Sequence, residues 1–366
     1  MRGVAPQSEK EALAGCVDRA VRVARNAARL ALLGGFDVPT LRSMRFALTE
    51  RALLAAAGFS APAIARSSYP SHSVRLIVPL PPGASTGAVG RLTAERLSAR
   101  FGQQFVVETR AGTGGMIGAE AAAHAAPDGY TLLVATISVP AIAPHLAPRL
   151  AWDPVRDPAN VVGSCVVPSA ILARPDLPVG DVADLIALAK SRPGTLSYGS
   201  LGNGTSGHLC AEYLKANAGI ALTHVPYRGT VPLLGDLLGG RLDLAVDNLP
   251  FYVPQLRKGG LKLLAVASPD RWFSVPDTPT IAEGALPGFT MTIWLGLQAP
   301  ADTPAPELGR LEAAMLAAFA EPETHTCLHA IGVEAAPSGR SAFGDLVRSE
   351  YAKWGDVVRT AGIEND

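Results

Sequence analysis

Cysteine is scarce: four in 366 residues, at positions 16, 165, 210 and 327. That number and its wide spacing exclude a disulfide framework and match no zinc pattern. Histidine is equally uninformative, because His72, His124, His145, His208, His224, His325 and His329 show no metal-ligand spacing. His325 and His329 fall four apart on an expected helix, yet no H-E-x-x-H glutamate accompanies them. There is no G-x-S-x-G nucleophile elbow and no Walker lysine. Excess charge of either sign is missing too: 32 Lys+Arg balance 32 Asp+Glu. A general nucleic-acid binder needs a basic footprint, so that class is excluded. No solenoid-type repeat occurs, and nothing after residue 66 is long and apolar enough to span a bilayer, which takes about 20 residues.

What is present is a globular composition, 48% hydrophobic, with 37 glycines and 30 prolines that call for many turns. The length suggests about two domains. The zero net charge averages two unlike pieces: residues 1–66 carry 10 basic and 5 acidic side chains, and residues 67–366 carry 22 and 27. From Met44 the basic piece has a positive start (Arg45, Arg51), a short apolar run over 52–61 and an Ala63-Ile64-Ala65 ending. Those are the three parts of a secretory signal peptide, with residues 44–65 removed near Ala65 and residues 1–43 a leader of uncertain origin. The competing reading is an amphipathic surface helix. Leu13-Ala14-Gly15-Cys16 spells a lipobox, but the polar stretch before it rules that use out. Cys165, Cys210 and Cys327 all sit in apolar surroundings and read as buried packing thiols, with a bridge between two of them as the alternative.

From residue 73 short β-rich runs alternate with helical patterns: strands at 74–79, 104–109 and 130–136, helices at 85–100 and 114–125. This βαβαβ rhythm predicts parallel strands with crossover helices. After a Pro-rich loop over 144–158 comes a strand at 161–167. A second unit then repeats the rhythm from the helix at 182–191, with Asp181 as its N-cap, to a strand at 262–268. A turn-rich connector over 269–289 leads to a strand at 290–299 and helices at 304–320 and 341–361. The chain therefore passes from a first α/β lobe (67–168 plus 288–366) to a second (169–287) and returns. Two crossings make a hinge, and a hinge places a ligand cleft between lobes.

Three glycine-containing turns stand at strand-to-helix junctions: Pro81 to Gly87, Gly202-Asn203-Gly204-Thr205-Ser206, and Arg228-Gly229-Thr230. Helix N-termini carry unsatisfied N–H donors and partial positive charge, so each turn is a potential anion seat; as turns alone they need no ligand. Gly202, Gly204 and Gly207 also satisfy G-x-G-x-x-G. The end of the next strand reads His224-Val225-Pro226-Tyr227-Arg228, without the carboxylate a dinucleotide site wants. Arg228 suits a 2′-phosphate, which keeps a cytoplasmic NADP-dependent enzyme as the alternative function. Asp247 ends a strand at the expected cleft, either to receive a ligand ammonium or hydroxyl or to cap the following helix.

A dense, ordered set of blocks covers the chain from Tyr69 to Ile363: YPSHSVRLIVPLPPG (69–83), ETRAGTGGMIGAE (108–120), APDGYTLL (126–133), DPVRD (153–157), YGSLGNGTSGHL (198–209), VPYRGTVPLLGDLLGGRLDLAVDNLP (225–250), PDTPTIAEGALPGF (276–289) and YAKWGDVVRTAGI (351–363). In these blocks the sequence resembles the Bug-type periplasmic solute-binding proteins of tripartite tricarboxylate transporters. The resemblance implies a two-lobed, type II-like Venus-flytrap fold. It also implies a monomer without cofactor or chemistry, which binds a small carboxylate or related metabolite and delivers it to membrane permease subunits. The ligand-binding residues it implies are Pro82, Gly83, Ala84, Ser85 and Thr86 in the first loop and Gly202, Asn203, Gly204, Thr205 and Ser206 in the second. Thr136, Ser138, Tyr227 and Asp247 would line the same cleft. The first loop departs from the usual P-P-G-G with a following Asp, having Ala84 and Gly87 instead. Thr109 and Ala143 stand where Asn is usual. Ala84 would resist a positive φ that glycine permits.

Overall fold

The first three strands show why the sheet is buried on both faces. In β1 (Val74–Val78) Val74, Leu76 and Val78 face one apolar cluster, and Ile77 faces another with Met116, Leu133 and Trp152. In β3 (Thr131–Thr136) Leu132 and Val134 turn to the first cluster and Leu133 to the second. Side chains alternate along a strand, so near-continuous aliphatic runs require a helix layer on each side. The computed structural model describes residues 69–81, 83–146, 150 and 152–363. The expected leader and signal peptide, and Pro82, lie outside the described residues.

The first half of the molecule places β1 between β2 (Phe105–Thr109) and β3, all parallel. Helix α1 (Ser85–Phe101) and helix α2 (Met116–Ala123) make the crossovers. A short helix α3 (Ala143–Leu146) follows a single π turn over Ser138–Ile142. The next strand, β4 (Pro158–Ala173), is the axis of the sheet. Its first part pairs antiparallel with β9 (Thr292–Pro300) and β10 (Glu334–Ser338) as far as Pro168. From Ser169 onward its partners are β7 (Leu244–Asn248) and β8 (Lys262–Val266), also antiparallel.

The second half builds on β7, with β5 (Ser197–Ser200) parallel to it and β6 (Thr223–Pro226) parallel to β5. Its helices are α4 (Val182–Ser191), α5 (Ser206–Ala218), α6 (Thr230–Leu238) and the short α7 (Val253–Arg257). Asp181 caps α4 as expected, its carboxylate accepting from the Asp184 N–H at 2.8 Å. Four further helices complete the chain: α8 (Ile281–Gly284), α9 (Ala305–Phe319), α10 (Pro322–Ala330) and α11 (Arg340–Ala361). Helix α11 touches both halves. Its Trp354 packs edge-on to Tyr213 of α5, and His145 Nε2 lies 2.8 Å from the carbonyl oxygen of Tyr351.

The structure is thus α/β and two-lobed, but less uniformly parallel than the βαβ rhythm predicts: β9, β4 and β10 run antiparallel to their neighbours. The strand expected at 161–167 extends to 16 residues. Strand β10 was not anticipated. Cys165 and Cys210 are buried thiols whose pKa burial pushes up to about 12. No disulfide joins the described cysteines. Among the described residues no helix is long and apolar enough to cross a membrane, and no group of three His, Cys, Asp or Glu side chains could hold a metal ion.

A candidate ligand cleft between the two halves

Helix α1 begins at the C-terminal end of β1, where the chain must turn sharply. Gly83 supplies the turn with φ +96°, and a Cβ there would come within 3.6 Å of Phe251 in the other half. Ala84 has φ −67°, so its replacement of a glycine costs no strain. The first helical turn has no acidic residue and no side-chain cap. Its amides therefore keep their positive end available to an anion. Ser85 and Thr86 are 7% and 1% exposed, and neither hydroxyl finds a partner among the described residues. Thr136, at the end of β3, is equally buried and its hydroxyl equally unpartnered.

The first turn spends Ala84 N–H on the Pro81 carbonyl at 3.4 Å and Gly87 N–H on the Ala84 carbonyl at 3.0 Å, and the second turn engages more of its donors. Gly202 N–H donates to Ser200 Oγ at 3.2 Å, Gly204 N–H to His208 Nδ1 at 3.4 Å and Thr205 N–H to the Gly202 carbonyl at 3.3 Å. Thr205 Oγ1 donates to that same carbonyl at 2.7 Å and also caps α5 at His208 N–H. Ser206 N–H reaches across the cleft to Ser138 Oγ at 3.1 Å. Behind the turn His208 stacks on His224, which bonds Ser200 Oγ at 2.8 Å. This buttress holds the turn rigid, and sequence reading had found no use for either histidine.

Gly207 is explained by packing. A Cβ at this position would lie 2.1 Å from the Val246 carbonyl oxygen, so glycine is needed for α5 to sit against β7. The literal G-x-G-x-x-G is therefore accounted for by a turn and a close approach. Asp247, also on β7, is 5% exposed; its carboxylate accepts from Asn248 N–H at 2.7 Å and Tyr252 O–H at 2.9 Å. Burial raises its pKa to about 6, against the opposing effect of those hydrogen bonds and the nearby Thr230 hydroxyl. Of the two sequence alternatives, its bonds in this structure are local. Tyr227 spends its hydroxyl on Asp236 at 2.8 Å, and burial together with that carboxylate raises its pKa to about 12.

The expected site residues fall in three places. Gly202, Asn203, Gly204 and Tyr227 line one cavity of about 650 Å³ between the halves. Gly83, Ala84 and Ser85 line a second, of about 540 Å³. Thr86, Thr136, Ser138, Thr205, Ser206 and Asp247 are buried and line neither. The first cavity also takes in the Gly112–Gly115 turn and Ala143, which sequence reading did not place there. Its signal was the glycine cluster in the 108–120 block. A Cβ on Gly114 would stand 3.0 Å from the Asn203 carbonyl, so glycine turns from opposite halves meet almost backbone to backbone.

A curled α/β sheet divided into two halves whose glycine turns meet between them is the architecture of a periplasmic-type solute-binding protein. The chain belongs to the tripartite tricarboxylate transporter family receptors, whose family model matches residues 89–363. It is 35% identical over 318 residues to the protein BugT of Bordetella pertussis, covering 85% of this chain and 95% of that one. Among solved structures it resembles R. palustris Rpa4515 with adipate at 36% identity and a TM-score of 0.78, covering 81% of this chain and 99% of the other. MatC from Rhodopseudomonas palustris with bound malate is similar at 33% identity and a TM-score of 0.74, covering 79% and 100%.

Proposed function

We propose that the protein is an extracytoplasmic receptor that closes its two lobes over a small organic acid and hands it to a membrane permease, without chemistry of its own. The observation that carries this reading is the set of buried, unpartnered hydroxyls: Ser85 and Thr86 at the start of a helix whose first turn holds no acid, and Thr136 at the end of β3. Leaving such groups unsatisfied costs about 1–3 kcal/mol each. A carboxylate accepts from hydroxyls and helix-end amides together, and that cost becomes binding energy. The adipate and malate seen in similar proteins support the same ligand class.

On this reading the lobes are residues 67–168 with 288–366, and 169–287, and the ligand contacts come from Pro82–Thr86, Thr136, Ser138, Gly202–Ser206, Tyr227 and Asp247. The protein acts as a monomer. Residues 44–65 direct export and are removed near Ala65, which leaves a mildly acidic mature chain. The anion is then held by local dipoles against a slightly opposing overall charge. Gly207's packing role and the missing carboxylate after β6 weigh against the NADP-enzyme alternative, which keeps only Arg228 on the wall of the first cavity.

The test is native mass spectrometry of the protein recovered from the periplasm of an expressing Gram-negative host. The expected result is a chain beginning at Arg66 that carries a small acidic molecule lost on denaturation. An uncleaved chain in the cytoplasm that binds NADP would overturn the proposal.

A further inference from the structure

The turn between β2 and α2 carries a backbone conformation that its sequence does not favour. Gly115 N–H donates to the Gly112 carbonyl at 2.9 Å, and both residues between them lie in the left-handed region: Thr113 at φ +47° and Gly114 at φ +63°, ψ +14°. That is a turn of the I′ type, which favours Asn-Gly at its two central places. Gly114 fits it. Thr113 does not, because it is β-branched, and it is the one non-glycine residue with positive φ among the described residues. Its side chain is exposed and makes no hydrogen bond among the described residues, so nothing local offsets the strain. The same turn is where the halves touch. A Cβ on Gly114 would stand 3.0 Å from the Asn203 carbonyl oxygen and 3.2 Å from the carbonyl carbon of Gly204. From behind, the turn is backed by its own half: a Cβ on Gly115 would lie 3.1 Å from Val139 and 3.4 Å from Pro79.

We infer that Thr113 is a positioning residue that sets ligand affinity by opposing closure: contact of Gly114 with Asn203 and Gly204 pins the turn in its strained form, and opening releases it. The inference rests on the closing-lobe receptor reading above and adds to it a spring. Strain of this kind persists only where the surrounding structure over-determines it. In the closed form the turn at 202–206 supplies that constraint. When the halves separate, Gly114 loses those neighbours and Thr113 returns to negative φ. Ligand contacts must then offset the Thr113 strain before the cleft shuts, so the unliganded receptor is biased towards its open form. A residue at ease in the left-handed region would remove this bias, because it lowers the energy of the closed state and leaves the open state as it is.

The test compares three variants of the mature protein with the native chain. Small-angle scattering without ligand reads closure, and calorimetry reads affinity for adipate and malate, the acids bound in two similar structures. Thr113→Asn and Thr113→Gly both accept the left-handed conformation. Each should give a smaller unliganded radius of gyration than the native protein and raise affinity about fivefold, the change expected from relieving one strained residue. Gly114→Asn also tolerates the backbone but places a side chain against the Asn203 carbonyl. It should bind at least about tenfold more weakly and remain open, with a native circular dichroism spectrum. The proposal is overturned if Thr113→Asn raises the denaturation temperature yet leaves scattering and affinity as they were, because the strain is then present in open and closed forms alike. It is equally overturned if the Thr113 variants change nothing or bind more weakly, or if Gly114→Asn binds and closes like the native chain. If neither acid nor any other carboxylate binds, the receptor reading fails, and scattering alone decides whether Thr113 opposes closure.

Discussion

Asp247 is a buried carboxylate whose hydrogen-bond partners, Asn248 and Tyr252, are local. Its pKa rises from 3.8 to about 6 because the carboxylate is buried. Between those values the folded protein holds this proton more tightly than the unfolded chain. Its contribution to stability therefore becomes unfavourable as pH rises through that window and levels off above it. The total is about 3 kcal/mol if the pKa difference is fully expressed. Asp247→Asn removes the titration and keeps an acceptor for Asn248 N–H. In urea denaturation the stability of the variant relative to the native protein should increase from pH about 4 to pH about 7.5, by up to that amount. A pH-independent difference would contradict the assignment. Sequence reading left Asp247 between ligand and cap. Its actual partners, Asn248 and Tyr252, are near in sequence but depend on the turn after β7, which composition does not dictate.

Among the elements, the one most instructive about legibility is β4. Sequence reading placed it at 161–167, ending just before Pro168, a residue that lacks the N–H of a central strand. In the structure Pro168 marks the place where β4 exchanges partners, from β9 and β10 to β7 and β8. The proline is tolerated at this change of sheet, and nothing in local propensity announces it. Helices with clear starts and stops fared better. Helix α4 has its Asp181 cap, and α11 was legible to within a residue from its long amphipathic pattern. The junction of α5 with β7 gives a prediction at this scale. Gly207→Ala places a methyl group 2.1 Å from a backbone carbonyl that cannot move without disturbing β7. It should destabilise the protein by about 1–3 kcal/mol, read as a lowered denaturation midpoint. An unchanged midpoint would show that the approach is looser than described.

In the whole molecule, contacts between the two halves link residues far apart in the chain. Ser206 N–H to Ser138 Oγ spans 68 positions, and Gly83 sits against Phe251. Such pairings follow from topology, which is why the sequence presents the start of α1 and the turn at 202–206 alike as potential anion seats and does not show that Gly202, Gly204, Thr205 and Ser206 already spend their amides on protein acceptors. Ser138→Ala removes one neutral hydrogen bond from the closed arrangement, worth about 1 kcal/mol. Ligand affinity should fall about fivefold. Small-angle scattering should show a more open unliganded population. Unaltered affinity and scattering would mean that this bond does not hold the halves together.

The central claim is that the interlobe hydroxyls and helix end bind a carboxylate. Its most direct test is a thermal-shift titration of the mature chain with a broad panel of mono-, di- and tricarboxylates, with NADP alongside as a control. A bound acid at a hundredfold excess over its Kd should stabilise the fold by about 2.7 kcal/mol, with NADP giving no shift. No shift with any carboxylate, or a shift with NADP alone, would contradict the account.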